Sequence, residues 1–468
     1  MQQFRLLIVL LLSSMFVNAQ NVTGDWYGTL NIQGNKLRLV LHIKETNGKL
    51  TSTMDSPDQG AKGIPIQEVD FNNSKLTVKS KTIGFEYSGK VNKSFTEIEG
   101  TFKQSGKTFN LKLLRQPEKI VPPKRPQEPK APFPYYTEDV KFYNSEDNIN
   151  LAGTLTLPDT TGKYPAVVLI SGSGPQNRNS EVFGHKIFLV LADYLTRHGI
   201  GVLRFDDRGI GESEGNFSEA TSVNFAFDAL AGVQYLQSHK NIYNNKIGLL
   251  GMSEGGMIAP IAAKLSDDIA FIVLLAGPGI PIPELLKLQQ IAISKVNGIP
   301  EKAINFNVNL MQGAYKILNK YPNDNNIKIK LETYFKNELK KLSADELKKI
   351  GNTDMFIKQT VRTLTTPWFR YFITYKPAEN LSKIKCPVLA LNGEKDLQVL
   401  PKENLNGIEQ ALKKGGNTNY KIEKLSGLNH LMQKCKTGNP NEYAKIEETM
   451  NPAALKIITE WILNIVKP

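Results

Sequence analysis

Two serines in this sequence stand in a G-x-S-x-G spacing, which is typical of a nucleophilic serine on a sharp turn. Ser253 occurs in "KIGLLGMSEGGMIAPIAAKL" and Ser213 in "GIGESEG". An apolar run leads into Ser253 and an apolar run of small residues follows it, which predicts a strand, a tight turn and a helix. Ser213 is flanked by Glu212 and Glu214, and no apolar helix pattern follows it. We therefore predict that Ser253 is the nucleophile.

A serine hydroxyl is a poor nucleophile until a base accepts its proton, and the sequence offers five histidines. His42 lies in a region with a β pattern. His185, His198 and His239 fall within or at the ends of predicted helices, where structural roles are expected. His430, in "LSGLNHLMQ", directly follows the last predicted strand. We predict that His430 is the base.

The imidazole of such a base needs an acceptor that fixes its tautomer. Asp396, in "LALNGEKDLQV", follows the strand before the one that leads to His430, and Glu394 is the alternative acid. An oxyanion hole would take the backbone amides of Glu254 and of Ser173, in the loop "ISGSGPQNRN". The alternative is that this glycine-rich loop only reverses the chain.

Apolar strand patterns alternate with amphipathic helix patterns over residues 135–468, which predicts a mostly parallel sheet covered on both faces. Side chains that do chemistry are expected at the carboxyl ends of its strands. Residues 280–384 have a helical pattern and interrupt the sheet, so we predict a cap there. Its segment "TTPWFRYFITY" offers a possible substrate wall or ordinary core, through the aromatic side chains Trp368, Phe369, Tyr371 and Phe372.

Three segments precede this region. Residues 1–19 have a short basic start, an apolar run and small residues at the end, which predicts a secretory signal peptide cleaved before Gln20. A membrane anchor is the alternative, but the apolar run is short for a span. Residues 20–115 alternate in short runs separated by turn residues, which predicts a small antiparallel β domain. Residues 116–134 are rich in proline and charge, as in an extended linker.

The formal net charge of +13 is dispersed along the chain, without the aromatic and basic pattern of a nucleic-acid surface. The densest basic run, residues 327–351, fits a solvated helix face, with an anionic surface or partner as the alternative. We expect no nucleic-acid partner, no membrane span, no metal and no other cofactor. The sequence leaves open the oligomeric state and whether Cys386 and Cys435 form a disulfide.

From about residue 136 to 466 the chain resembles α/β-hydrolases, and more narrowly secreted bacterial carboxylesterases of the serine-aminopeptidase-like group. The resemblance rests on "LISGSGPQNRN", "FDDRGIGES", "GMSEGG", "PWFRYFITYKP", "LNGEKDLQV" and "GLNHLMQ". It implies an α/β-hydrolase fold with a helical cap, and Ser253, Asp396 and His430 follow its triad order. It also implies that "DDRGIGES" is a structural turn. Ser171 is a departure, because many relatives have the His of a His-Gly pair there.

The resulting prediction is a periplasmic or secreted serine hydrolase that cleaves small carboxylic esters through an acyl-enzyme intermediate. An aminopeptidase or amidase with the same triad is the alternative, and it would need an acidic clamp for a free amine. Candidate clamps in the cap are Glu284, Glu301 and Glu332. A less favoured alternative is a non-catalytic protein that binds glycans or lipids through its β domain.

Overall fold

A computed structural model of the chain describes residues 22–32, 35–57, 61–81, 83–104, 107–117 and 123–467. The predicted signal peptide lies outside the described residues, as do residues 118–122 of the predicted linker. The chain divides into two compact units, one of Met1–Val121 with Ala344–Asn352 and one of Pro122–Ser343 with Thr353–Pro468.

The first unit contains an antiparallel sheet of nine strands in the order β4-β3-β2-β1-β9-β8-β7-β6-β5. Its strands are β1 (Gly24–Ile32), β2 (Asn35–Thr46), β3 (Lys49–Ser56), β4 (Ala61–Ile66), β5 (Glu68–Asn72), β6 (Lys75–Ser80), β7 (Phe85–Val91), β8 (Glu97–Gln104) and β9 (Lys107–Leu114). Only Gln67 separates β4 from β5 although they are the two edges, so the sheet curls back on itself. Trp26 and Tyr87 are fully buried inside it.

The second unit is built on a sheet of eight strands in the order β10-β11-β15-β12-β16-β17-β18-β19. Its strands are β10 (Tyr136–Asn144), β11 (Ile149–Leu157), β12 (Tyr164–Ile170), β15 (Gly201–Phe205), β16 (Ile242–Met252), β17 (Phe271–Leu275), β18 (Val388–Gly393) and β19 (Tyr420–Leu425). β11 pairs antiparallel with both neighbours, and the pairs from β15 to β19 are parallel. A short hairpin of β13 (Glu181–Val182) and β14 (His185–Lys186) follows β12. The α/β architecture with a preceding antiparallel β domain is confirmed.

Helices cover both faces of this sheet because its strands are apolar on both sides, as a parallel sheet requires. The helices between and after the strands are α1 (Ile187–Arg197), α2 (Ser222–Ser238), α3 (Gly255–Leu265), α11 (Pro401–Lys414) and α12 (Pro452–Ile465). α1 packs with α12, and α2 packs with α3. Side chains of α1 and α12 share one core with alternate residues of the central strands, such as Val167 and Leu169.

The segment between β17 and β18 is helical, as the sequence predicts for a cap. It contains α4 (Ile282–Val296), α5 (Glu301–Lys320), α6 (Ile327–Leu339), α7 (Ala344–Ile350), α8 (Thr353–Leu364), α9 (Pro367–Thr374) and α10 (Pro377–Leu381). Within the part of the chain that the structure describes, no helix is long and apolar enough to cross a membrane. Cys386 and Cys435 are free thiols.

Candidate active site

Ser253 lies on the turn between β16 and α3. Its backbone adopts a left-handed conformation with φ of 56°, which a residue with a side chain rarely takes and which marks a strained turn. Its N–H donates to the carbonyl of Leu275 on β17 at 2.8 Å. A Cβ on Gly251 would overlap the backbone of Gly255, and one on Gly255 would overlap the carbonyl oxygen of Ile170. Both glycines are therefore required by this packing.

His430 and Asp396 lie together at the carboxyl ends of β19 and β18. The distance from His430 Nδ1 to Asp396 Oδ2 is 2.8 Å, and both residues are buried. The other carboxylate oxygen of Asp396 accepts hydrogen bonds from the amides of Gln398 at 2.7 Å and Val399 at 2.9 Å. The carboxyl of Asp396 is thus fixed by its own loop, and one oxygen remains for the imidazole.

The turn that carries His430 is held by the buried side chain of Asn429. The Asn429 Oδ1 accepts from the amides of Leu431 at 3.0 Å and Gln433 at 2.9 Å. A Cβ on Gly393, the last residue of β18, would overlap the backbone of this turn. Close approach of the two loops therefore brings the imidazole to the carboxylate.

The loop after β12 runs beside Ser253. A Cβ on Gly172 would lie 3.2 Å from the Cβ of Ser253. Ser173 and Glu254 border the same cavity as Ser253 and His430. In the described part of the chain, the backbone amides of Ser173 and Glu254 donate no hydrogen bond, and none links Ser253 to His430. Ser253, His430 and the two residues whose amides donate no hydrogen bond therefore border one space.

The alternatives to these residues have other contacts. Glu394 accepts from the Ser426 hydroxyl at 2.9 Å and the Gly427 amide at 3.0 Å, and these bonds lower its pKa. His185 is buried, with Nε2 2.9 Å from the Tyr443 carbonyl oxygen. Burial lowers the pKa of His185 to about 4.

Ser213 has a structural position. Its hydroxyl donates to the carbonyl oxygen of Asp206 at 2.7 Å and accepts from the amide of Ala152 at 2.9 Å. On the other unit, the Nδ1 of His42 lies 2.7 Å from Asp25 Oδ1.

Comparison with known proteins identifies the family. A family model described as serine aminopeptidase S33 matches residues 185–434, more than half of the chain. The chain belongs to this family of α/β-hydrolases. The predicted family is therefore confirmed, and the chain is a hydrolase.

Two curated relatives and one solved structure are similar over much of this hydrolase. Esterase EstD of Thermotoga maritima is 26% identical over 336 residues, covering 71% of this chain and 70% of the relative. An uncharacterized 31.7 kDa protein of Escherichia coli, from the traX-finO intergenic region, is 26% identical over 271 residues, covering 57% of this chain and 84% of the relative. The structure of esterase Pf2001 from Pyrococcus furiosus is 17% identical, covering 74% of this chain and 97% of that one, with a TM-score of 0.43.

The cavity that Ser253 and His430 border has a volume of about 340 Å³. Most of its lining is apolar and comes from the β13–β14 hairpin, the start of α1, the end of β16, the cap helices α4 and α9, and the loops after β17, β18 and β19. The apolar lining residues are Val182, Phe183, Ile187, Met252, Pro278, Leu285, Leu286, Trp368, Phe369, Phe372, Val399 and Leu431. Three of the four predicted wall residues are among them. Tyr371 is not, and its ring lies 6.3 Å from that of Tyr375.

Sequence reasoning missed Phe183 and the loop-binding role of Asp207. Phe183 is 52% exposed, and its ring packs edge-on to Tyr443 at the cavity. Asp207 accepts from the Ser171 hydroxyl at 2.8 Å and the Gln176 amide at 2.9 Å, and so holds both ends of the loop that carries Ser173. Burial raises the pKa of Asp207 to about 7. The sequence signal that could have indicated this role is the position of Asp207 in the structural turn "DDRGIGES".

Proposed function

We propose that this hydrolase cleaves carboxylic esters with Ser253 as nucleophile, His430 as general base and Asp396 as the residue that orients His430. One observation carries the proposal. A single cavity is bordered by Ser253, by Ser173 and Glu254, whose amides donate no hydrogen bond among the described residues, and by His430, whose Nδ1 lies 2.8 Å from a buried carboxylate. That set of groups meets the requirements of acyl transfer at a serine.

In the acylation step, the Ser253 hydroxyl oxygen attacks the ester carbonyl carbon while His430 Nε2 takes the hydroxyl proton. The amides of Ser173 and Glu254 donate to the resulting oxyanion. When the tetrahedral species collapses, the alcohol leaves with the proton from His430 and the acyl group stays on Ser253. Water then attacks the acyl-enzyme by the same route, and the acid is released. Asp396 orients the imidazole in both steps and stabilises the imidazolium.

The lining of the cavity favours an uncharged substrate with an apolar group. Among the described residues it contains no Lys or Arg, so it offers no partner for an anionic substrate. Its one carboxyl, that of Glu254, already accepts from the Ser222 hydroxyl and from Trp368 Nε1, each at 2.7 Å. Esters of simple carboxylic acids fit this chemistry.

The aminopeptidase alternative requires a free carboxylate for the substrate amine. None of the cap candidates Glu284, Glu301 and Glu332 lines the cavity. The family description favours this alternative by name, whereas the lining favours the ester. We further propose that the protein is exported to the periplasm or beyond, on the pattern of residues 1–19 alone.

A fluorophosphonate probe and two substrate series test the proposal. The probe should label the full chain and fail to label the Ser253→Ala variant, whereas Ser213→Ala should be labelled. p-Nitrophenyl esters of acetate to octanoate should be hydrolysed far faster than aminoacyl p-nitroanilides. Faster cleavage of the anilides would favour the aminopeptidase, and labelling of Ser253→Ala would remove Ser253 from its role. N-terminal sequencing of exported protein should begin at Gln20.

A further inference from the structure

Glu254 has a carboxyl with an unusual environment for a charged group. Its side chain is buried, and in the described part of the chain no cation pairs with it. The Ser222 hydroxyl, on α2, and the Trp368 indole N–H, on α9, both donate to the same oxygen, Oε1. Burial raises the pKa of Glu254, and hydrogen bonds from Ser222, Trp368 and Ser173 lower it in part.

Burying a carboxyl costs free energy unless hydrogen bonds replace its water. An apolar side chain would fill the same space without that cost. The carboxyl of Glu254 therefore contributes something that packing alone would not, and its contacts show what it joins. One donor comes from α2, which packs against β16 and α3 on either side of the turn of Ser253, and the other comes from the cap.

Trp368 is the partner that faces the substrate cavity. Its ring is stacked on Phe372, with centroids 5.0 Å apart and planes at 14°, and it meets Phe369 edge-on at 5.9 Å. Stacking alone lets an indole slide or turn in its plane. The hydrogen bond from Nε1 to Glu254 removes that freedom and fixes which edge of the ring faces the cavity.

We propose that Glu254 is a positioning residue that sets substrate selectivity: its carboxyl fixes the Trp368 indole as a rigid wall and joins cap helix α9 to the turn of Ser253. The cavity of about 340 Å³ is at the small end of ligand pockets, so a fixed wall restricts the site to esters with compact acyl groups. Longer acyl chains need the wall to move. This inference rests on the proposed ester hydrolysis.

The required feature is the acceptor oxygen and not the negative charge. A negative charge beside the oxyanion would oppose the charge that develops in the transition state. Glutamine keeps the oxygen that receives Ser222 and Trp368, so Glu254→Gln should keep the selectivity of the native chain. Leucine removes the acceptor, and Trp368→Phe removes the donor while keeping an aromatic ring.

The test is a double-mutant cycle on the ratio of kcat/KM for p-nitrophenyl octanoate to that for p-nitrophenyl acetate. Glu254→Leu and Trp368→Phe should each raise this ratio about tenfold, and the double variant should raise it no further, because both remove one hydrogen bond. For Glu254→Gln, this ratio should stay within about threefold of the ratio for the native chain. Trp461→Phe and Glu284→Leu are the matched controls and should leave the ratio unchanged.

An unchanged ratio in Trp368→Phe, or effects of the two single variants that multiply in the double variant, would overturn the inference. Fluorine NMR of the full chain labelled with 5-fluorotryptophan gives a readout independent of catalysis. The chain has three Trp residues, and Trp368→Phe assigns one resonance. That resonance should shift in Glu254→Leu and keep its position in Glu284→Leu. No ester hydrolysis by the native chain would instead refute the proposed function, and the resonance would still test the contact.

Discussion

The two G-x-S-x-G turns of this chain share a spacing and even a following glutamate, yet the structure gives their serines different surroundings. The hydroxyl of Ser213 is buried, and it both donates and accepts a backbone hydrogen bond. Ser253 is half-buried, takes a left-handed backbone and borders a cavity with an imidazole. A hydroxyl already satisfied in both roles has neither a free proton nor space for a substrate. The surroundings, and not the spacing, distinguish the proposed nucleophile from the structural serine.

The two turns are also connected. The segment that contains Ser213 begins with Asp206 and Asp207, whose carboxylates face the loop of Ser173. Asp206 Oδ1 accepts from the Arg178 amide at 2.7 Å, and Asp207 accepts from Ser171 and Gln176, at the two ends of that loop. The turn of Ser213 therefore supports the loop beside Ser253.

The largest expected effect tests whether Ser253 and Ser213 differ in this way. Ser253→Ala should lower kcat/KM for a small ester on the order of 10⁴-fold or more, because the attacking oxygen is lost. Its midpoint of thermal unfolding should change little. Ser213→Ala should show the reverse. It leaves the Ala152 N–H and the Asp206 carbonyl without that partner, at a cost of about 1–3 kcal/mol, while folded protein keeps its activity.

Steady-state hydrolysis and thermal unfolding of both purified variants measure the two quantities. Activity of Ser253→Ala close to that of the native chain would remove the distinction. So would a folded Ser213→Ala variant that has lost turnover.

The sequence predicted those parts of the site that depend on local pattern and strand order. The turn of Ser253 follows from an apolar strand, two glycines and an apolar helix within about twenty residues. His430 and Asp396 follow from their places after successive strands, because parallel strands bring their carboxyl ends to one edge. The structure brings the two side chains together at that edge.

The remaining features depend on contacts between distant residues, which periodicity does not encode. The hydrogen bond from Trp368 to Glu254 spans 114 positions, and whether Tyr371 or Phe372 faces the cavity depends on how α9 docks. The hydrogen bond from Ser171 to Asp207 spans 36 positions. A pattern of aromatic residues predicted a possible substrate wall, but three-dimensional packing decides which of them line the cavity.

The same contrast applies to two buried histidines. His430→Ala should lower kcat/KM about 10³-fold, because no base remains to take the serine proton. His185 should affect stability instead. The pKa of an imidazole is about 6.5 in an unfolded chain, and burial lowers that of His185 to about 4. Between these values the unfolded chain binds a proton that the folded chain does not, so the free energy of unfolding falls as the pH falls from 6.5 to 4.

Unfolding midpoints measured from pH 7 to pH 4 test this assignment. The native chain should lose stability more steeply over that interval than His185→Gln, and folded His185→Gln should hydrolyse esters within about tenfold of the native chain. Equal slopes for the two proteins would show that His185 is not kept neutral by the fold.

The two acids after β18 provide a third contrast, since they stand two residues apart. Asp396→Asn should lower kcat about 10³-fold, because an amide cannot hold the imidazole in the required tautomer or stabilise its charge. Glu394→Gln should lower kcat less than about threefold, since Ser426 and Gly427, and not His430, donate to its carboxyl. The measurement is kcat for a soluble ester at pH 8. A larger loss in Glu394→Gln would assign the acid role to Glu394.

The smallest expected effect tests the connection between the two turns. Ser171→Ala removes one hydrogen bond from the Asp207 carboxyl, while the Gln176 amide still donates to it. The loop of Ser173 should then hold its amide less precisely, and kcat should fall about fivefold with little change in KM, because that amide acts on the transition state.

The loss of kcat in Ser171→Ala should depend on pH, because the Ser171 hydroxyl affects the charge of Asp207. Burial, with Asp228 and Glu254 nearby, raises the pKa of Asp207 to about 7, and the Ser171 hydrogen bond opposes that rise. Loss of the hydroxyl should raise the pKa further, so the variant carries more protonated Asp207 at pH 7 than the native chain does. A protonated Asp207 accepts the Gln176 amide less strongly, and at pH 9 more of this carboxyl is ionised in both proteins. The ratio of native to variant kcat should therefore be larger at pH 7 than at pH 9. A ratio that does not vary with pH would show that the turn of Ser213 supports the oxyanion loop without any contribution from the charge of Asp207.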